Sequence, residues 1–170
     1  MAYTTTIELF KEDMKFSAGH FTVFSATERE RLHGHNFFVR ASIDIEVEQN
    51  GMAADYNVFK KWIRNLCNSL DEYFIIPELS PYLNISKSED GSKLTLKHNQ
   101  DDLVFYTKDV KLLPISNTTI EEFSRYFVQE LCKNKEILEQ CKVQKLEVKV
   151  SSGAGQWGGY VWSPPIPTFP

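Results

Sequence analysis

From Phe37 to Val47 the chain alternates without a break. Phe37, Val39, Ala41, Ile43, Ile45 and Val47 interleave with Phe38, Arg40, Ser42, Asp44 and Glu46. Side chains two apart on a strand share a face, so this run predicts a long strand with one dry face and one mostly wet face. Such a strand needs partners and a covering layer. The stretch from Thr4 through His20 reads as a first strand, with Met14, Phe16, Ala18 and His20 on one face near its end, and is expected to pair with it as a hairpin. Leu146, Val148 and Val150 alternate with Lys145, Glu147 and Lys149 as another strand, and Tyr160-Val161-Trp162 follows the glycine-rich Ser151 to Gly159 as the last.

Two helices supply the cover. Val58, Phe59, Trp62, Ile63, Leu66, Cys67 and Leu70 form one helical stripe, with Asn57 or Asp55 placed to cap it. The second helix opens at Thr119, where Thr119 and Glu122 fit a capping box, carries Ile120, Phe123, Phe127 and Leu131, and should end near 133–135. Between them, Leu94-Thr95-Leu96 and Leu103 to Tyr106 flank a polar turn, His98 to Asp102, as a peripheral hairpin. The plan is α+β: an antiparallel four-stranded sheet with two helices on one face plus the small hairpin. A single domain over 1–162 is expected, followed by a Pro-rich tail, 163–170, that cannot continue a sheet.

A length of 170 residues with 42% hydrophobic content supports one core. A net charge of -4 offers no basic footprint for nucleic acid or an anionic membrane. No apolar run approaches the roughly 18 residues of a membrane helix, and Met1 to Phe10 lacks the pattern of a signal segment, so a cytoplasmic location is expected. Cys67, Cys132 and Cys141 are odd in number and widely spaced, which suits reduced packing residues.

The densest chemical signal is Leu32-His33-Gly34-His35-Asn36. Strand parity puts His33 and His35 on the inward face of Phe37 and Val39, while Gly34 between them admits a close neighbour. A hydrogen-bonded structural pair is the bland reading of such a motif. His20 changes this, because it ends the strand expected beside them, and three neutral imidazoles leave a fourth position open as in a catalytic zinc site. The fourth histidine, His98, falls in the hairpin turn and is expected to be solvated. Glu30, three residues before His33, is placed to act as a general base, although a solvated charged turn is its simpler reading. Gly153 to Gly159 follows a strand without opening a helix, which excludes a P-loop.

Together these segments resemble the 6-pyruvoyltetrahydropterin synthase / 6-carboxytetrahydropterin synthase family of the tunnelling fold. The likeness runs through Phe16-Ser17-Ala18-Gly19-His20, Leu32 to Phe37, Gly51 to Tyr56, Leu70-Asp71 and Leu112 to Phe123. It implies a catalytic Zn2+ held by His20, His33 and His35, a pterin-like small-molecule substrate, and trimers or hexamers with the active site between subunits. The cysteine that serves synthase members as base is absent between His20 and His33. Glu30-Arg31-Leu32-His33-Gly34-His35 instead matches an ExxHGH variant similar to a lyase that cleaves the side chain of dihydroneopterin, with Glu30 as base. Asp71 matches the aspartate of a proton relay, but Glu72 stands where its histidine is usual. Ser152 stands where a glutamate grips the pterin edge, in a loop that Trp157 reshapes. Thr118 and Thr119 match positions near the pterin, although both also suit the start of a helix. A different heterocyclic substrate, 6-carboxytetrahydropterin synthase chemistry, and a non-catalytic metal-binding member of the fold are the alternatives.

Overall fold

The computed structural model describes residues 3–164, so most of the proposed tail, 165–170, lies outside the described residues. The long alternating segment is a strand, β3 (His33–Val47), and it organises the rest. Thr4 to His20 is two strands and not the expected one: β1 (Tyr3–Leu9) and β2 (Lys15–His20) both run antiparallel to β3, β1 along its second half and β2 along its first. Leu9 pairs with Ala41 and Lys15 with Phe38, so residues 10–14 stand opposite only Val39 and Arg40. Met14 keeps its place on the ladder by accepting from the Val39 N–H at 2.9 Å, with its side chain fully buried. The extra residues of this bulge leave the ladder and bend the strand.

Helix α1 (Asn57–Leu70) buries Phe59, Ile63, Cys67 and Leu70. Its cap residue is Tyr56, and Asp55 acts one position earlier by accepting from the Asn57 backbone and side-chain amides. From there β4 (Tyr73–Pro77) lies parallel to β2, the small sheet follows, and β8 (Val110–Leu113) lies parallel to β4. Helix α2 (Ile120–Leu131) buries Phe123, Phe127 and Leu131, and a short α3 (Lys135–Gln140) fills the region where only a helix end is expected. Strands β9 (Val143–Ser151) and β10 (Gly158–Trp162) complete a seven-stranded mixed sheet in the order β10-β9-β3-β2-β4-β8, with β1 also on β3. The expected four antiparallel strands form one side of it, and β4 and β8 extend it in parallel beyond β2. The peripheral hairpin is likewise larger, because β5 (Asn84–Lys87) joins β6 (Lys93–His98) and β7 (Asp101–Tyr106).

Two apolar cores result. The larger lies between the main sheet and the helices, where Phe16, Phe37, Phe123 and Phe127 meet. Burying each such side chain contributes about 1.5–3 kcal/mol. The smaller, under the three-stranded sheet, takes Phe21 and Val23 from the segment after β2 together with Leu94 and Leu96. The cysteines pack as expected: burial pushes the Cys67 thiol up to about 12, and Cys132 up to about 11, which removes their thiolate reactivity. No helix among the described residues is long and apolar enough to cross a membrane.

Candidate metal centre and active site

The register of β2 on β3 sets His20 directly opposite His33 and Ala18 opposite His35. Alternate residues share a face, so all three imidazoles project on the helix side. Gly19 pairs with Gly34 between them, and the open side of Gly34 admits the Ala18 carbonyl: a Cβ there would lie 3.1 Å from that oxygen. The ring centroids stand 4.5, 4.9 and 5.2 Å apart, and one ring nitrogen of each lies within 4.8 Å of the others. Phe37 floors the cluster, edge-on to His20 and His35, and is itself stacked on Phe16. His20 is buried, whereas the expected seclusion of the other two is only partial: His33, at the strand's first position, keeps 35% of its side chain exposed.

The tautomers are set by backbone carbonyls. His20 Nδ1 donates to Thr118 O at 2.9 Å, and His33 Nδ1 donates to Arg31 O at 2.8 Å. A neutral ring that donates through Nδ1 keeps its lone pair on Nε2. For His20 that Nε2 is buried with no hydrogen-bond partner. Burial pushes the His20 imidazole down from 6.5 to about 4, against the opposing bond to Thr118, so it is neutral at physiological pH. An orphaned, buried, unprotonated nitrogen facing two more imidazoles is what a metal ion requires and what a hydrogen-bonded core histidine would avoid. The donor set therefore fits Zn2+ or another divalent ion that favours imidazole.

Glu30 reaches this cluster. Its Oε2 accepts from the Thr22 N–H at 2.8 Å and lies 3.9 Å from His33 Nε2. Partial burial raises its carboxyl, but hydrogen bonds from Thr22 outweigh that and hold it below the ordinary range, hence ionised. It is not the freely solvated turn residue of the simpler reading.

The other expected site residues fall elsewhere. Thr118 is fully buried behind His20, and its hydroxyl donates to Phe21 O at 2.6 Å, so its side chain is committed to the protein and not open to a substrate. Thr119 caps α2 through Glu122 N at 3.4 Å. The capping box does not close: the Glu122 carboxylate turns to Ser116 N and Oγ and to Arg125. Asp71 accepts from Ser17 N at 2.7 Å, and Glu72, at φ 63°, donates its N–H to Ser17 O at 2.8 Å. Glu72 lines an open depression of about 530 Å3 with Ser17, Gly19, His35, Asn36 and Asp109. Among the described residues the group that could hold a metal ion is His20, His33 and His35, and neither Asp71 nor Glu72 is part of it. Ser152 sits in the β9–β10 loop, with the Gln156 amide 3.5 Å from its hydroxyl, while Trp157 lies under the Arg40 guanidinium at 4.4 Å. His98 is buried, against the expectation of a solvated loop residue, and donates through Nε2 to Ser25 O at 2.9 Å.

Asn117 is a residue that sequence reasoning gives no role. Its side chain accepts from Val23 N and Thr118 N and donates to Val23 O, tying the segment after His20 to the approach to α2. No local pattern announces it, because the partner is 94 residues away.

The family described as 6-pyruvoyl tetrahydropterin synthase matches residues 8–161. Among curated relatives, a Methanocaldococcus jannaschii protein provisionally named 6-carboxy-5,6,7,8-tetrahydropterin synthase is 27% identical over 150 residues, 86% of this chain and 89% of that protein. The solved structure of Plasmodium vivax 6-pyruvoyltetrahydropterin synthase is 25% identical, with a TM-score of 0.88 over 95% of this chain and 99% of its own. The Plasmodium falciparum protein of the same name, at 23% identity, has a TM-score of 0.87 over the same shares of the two chains. A further Plasmodium vivax structure, at 24% identity, TM-score 0.88 and again 95% and 99%, has a glutamate described as a catalytic residue replaced by alanine.

Proposed function

The chain belongs to the 6-pyruvoyl tetrahydropterin synthase family, and from that premise we propose that it is a zinc-dependent lyase cleaving the side chain of 7,8-dihydroneopterin, or a phosphate of it, to 6-hydroxymethyl-dihydropterin. The observation that carries the proposal is the Glu30 carboxylate, ionised and 3.9 Å from the free nitrogen of His33 beside three convergent imidazoles. His20, His33 and His35 would hold the metal. Bound there, Zn2+ supplies Lewis acidity that orients and acidifies side-chain hydroxyls. Glu30 accepts the proton from the hydroxyl on the carbon beyond the bond to be cut. That hydroxyl carbon becomes an aldehyde carbon as the carbon–carbon bond breaks, and the electron pair passes into the dihydropterin ring. The proton held by Glu30 then returns to the ring-side carbon, which balances the reaction without an oxidant. Phe37 and the buried wall of His20 keep bulk water from the inner side of the site.

Homo-oligomers with a shared site are part of the same proposal. The main sheet ends in β10 on one side and β8 on the other, each paired on one side only among the described residues. Asp71 and Glu72, which stand outside the histidine cluster of their own chain, would then serve a neighbouring copy. Thr119 and Ser152 remain the proposed pterin contacts, with Thr118 acting through His20.

The test is mass-spectrometric product analysis of zinc-loaded protein and its Glu30→Gln variant with 7,8-dihydroneopterin and its triphosphate. Zinc- and Glu30-dependent 6-hydroxymethyl-dihydropterin is expected, with metal content equal in both proteins. A 6-carboxy product would favour the chemistry in the name of the Methanocaldococcus relative. No turnover of either compound would leave a metal-binding protein without this activity.

A further inference from the structure

Between His20 and His33 the chain leaves the main sheet in a narrow loop with its own pairing. Val23 bridges Arg29, the Glu30 N–H donates to Thr22 O at 2.8 Å, and the Phe24 and Ser25 N–H groups both donate to Glu28 O. A loop closed only on itself opens readily. Here it is fastened to the three-stranded sheet at two points. At the tip, His98 on β6 donates to Ser25 O. On the returning leg, the Arg29 guanidinium lies 5.7 Å over the Phe21 ring and forks: one N–H goes to Asp101 Oδ2 on β7 at 2.9 Å, the other to Glu30 O at 3.0 Å. A single rigid group therefore spans from β7 to the residue whose carboxylate stands beside His33.

The contact with Asp101 adds little stability, because Asp101 is 63% exposed and a pair with one partner in water contributes little to folding. What a planar fork does supply is fixed direction at two acceptors, which a lysine cannot reproduce. We propose that Arg29, anchored by Asp101, is the positioning residue for Glu30, and that the β5–β7 sheet is the post from which this carboxylate is held at the metal cluster. The inference rests on the reading of Glu30 as proton acceptor.

Arg29→Met keeps an unbranched apolar side chain beside Phe21 and removes both donors, while Asp101→Ala removes only the anchor. In both zinc-loaded variants the melting temperature should stay near that of the parent. Cobalt(II) in place of zinc should give an unchanged absorption spectrum, because the three imidazoles stay in place. Amide exchange at Thr22, whose N–H is held by Glu30 Oε2, should accelerate about tenfold in Arg29→Met. The kcat on 7,8-dihydroneopterin should fall about ten- to a hundredfold with KM unchanged, as for a misplaced base, and Arg29→Lys should restore only part of it. Unchanged Thr22 exchange, a cobalt spectrum altered in step with turnover, or full recovery by Arg29→Lys would each overturn the proposal. If the parent protein leaves dihydroneopterin intact, the substrate reading fails, and the Thr22 exchange still decides the role of Arg29.

Discussion

Thr118 offers the sharpest separation of fold from metal binding, because it touches His20 through its backbone and Phe21 through its side chain. Thr118→Val keeps the shape and deletes the donor to Phe21 O, a 2.6 Å bond at a position with no solvent exposure. Stripping a buried acceptor of its partner costs about 1–3 kcal/mol. For a chain of this size each kcal/mol lowers the melting temperature by about 2–4 °C, so a loss near 2 kcal/mol corresponds to about 4–8 °C. The same segment carries the carbonyl that fixes the His20 ring, and loosening such a partner weakens metal affinity by about 10–100-fold. Thr118→Ser is the control: it loses one buried methyl, about 1 kcal/mol, and keeps the donor. Melting curves with and without chelator, together with zinc competition titrations, separate the two effects. Both variants should melt early, and only Thr118→Val should lose affinity. Equal zinc affinity in the two would refute the claim that this hydroxyl supports the metal centre.

Two further expectations concern the frame around the site. Arg125, outweighing the effect of burial, and Ser116 hold the Glu122 carboxyl at about 2, below its ordinary 4.5, so its contribution is complete above pH 4.5 and is lost as pH falls toward 2. Allowing for solvent screening of a partly exposed pair, urea melts should show Glu122→Gln less stable by about 1–2 kcal/mol at pH 7, with the gap closing near pH 2; a gap independent of pH would sink the assignment. Gly158→Ala would put a Cβ 2.8 Å from Ile120 Cγ1 and 2.9 Å from the Ile120 carbonyl carbon, prising β10 from the start of α2. The overpacking should cost about 1–3 kcal/mol in the urea midpoint, and an unchanged midpoint would contradict that close approach.

The parts of this fold that announce themselves are those with one wet and one dry face. β3, β9 and both long helices fall in that class. β4 does not: Phe74, Ile75 and Ile76 form a continuous apolar run closed by Pro77, as in a strand with parallel neighbours and cover on both faces. The break between β1 and β2 does leave a trace in the sequence. Ile7 and Leu9 face inward at odd positions, Met14, Phe16 and Ala18 at even ones, and only an irregularity in the strand reconciles the two parities. The three clustered histidines are legible for the same reason as β3, since parity and a hairpin register suffice to bring His20 to His33. Their supports are not, because Thr118 lies 98 residues from His20 and Asp101 lies 72 from Arg29. No short-range pattern encodes contacts of that span.

The same division separates the three clustered histidines from the positions at which the sequence resemblance leads one to expect another residue. His20, His33 and His35 stand on paired backbone, where neighbouring positions are tightly filled: a Cβ on Gly19 would lie 2.4 Å from the Phe74 ring. Change there propagates into the sheet. Glu30, Glu72 and Ser152, the three positions at which the sequence resemblance leads one to expect another residue, all lie off the ladders, in a loop, at a turn with positive φ, and in the β9–β10 connection. Side chains at such places can be exchanged without disturbing the ladder, so the histidine frame can persist while the side chains around it vary. Glu30 is the loop residue for which the structure supplies dedicated support, from Thr22 at its carboxylate and Arg29 at its carbonyl. On the function proposed above the chemistry rests on this glutamate, and the Arg29 fork, more than the histidine cluster, is the feature that would separate a working lyase from a metal-binding relative.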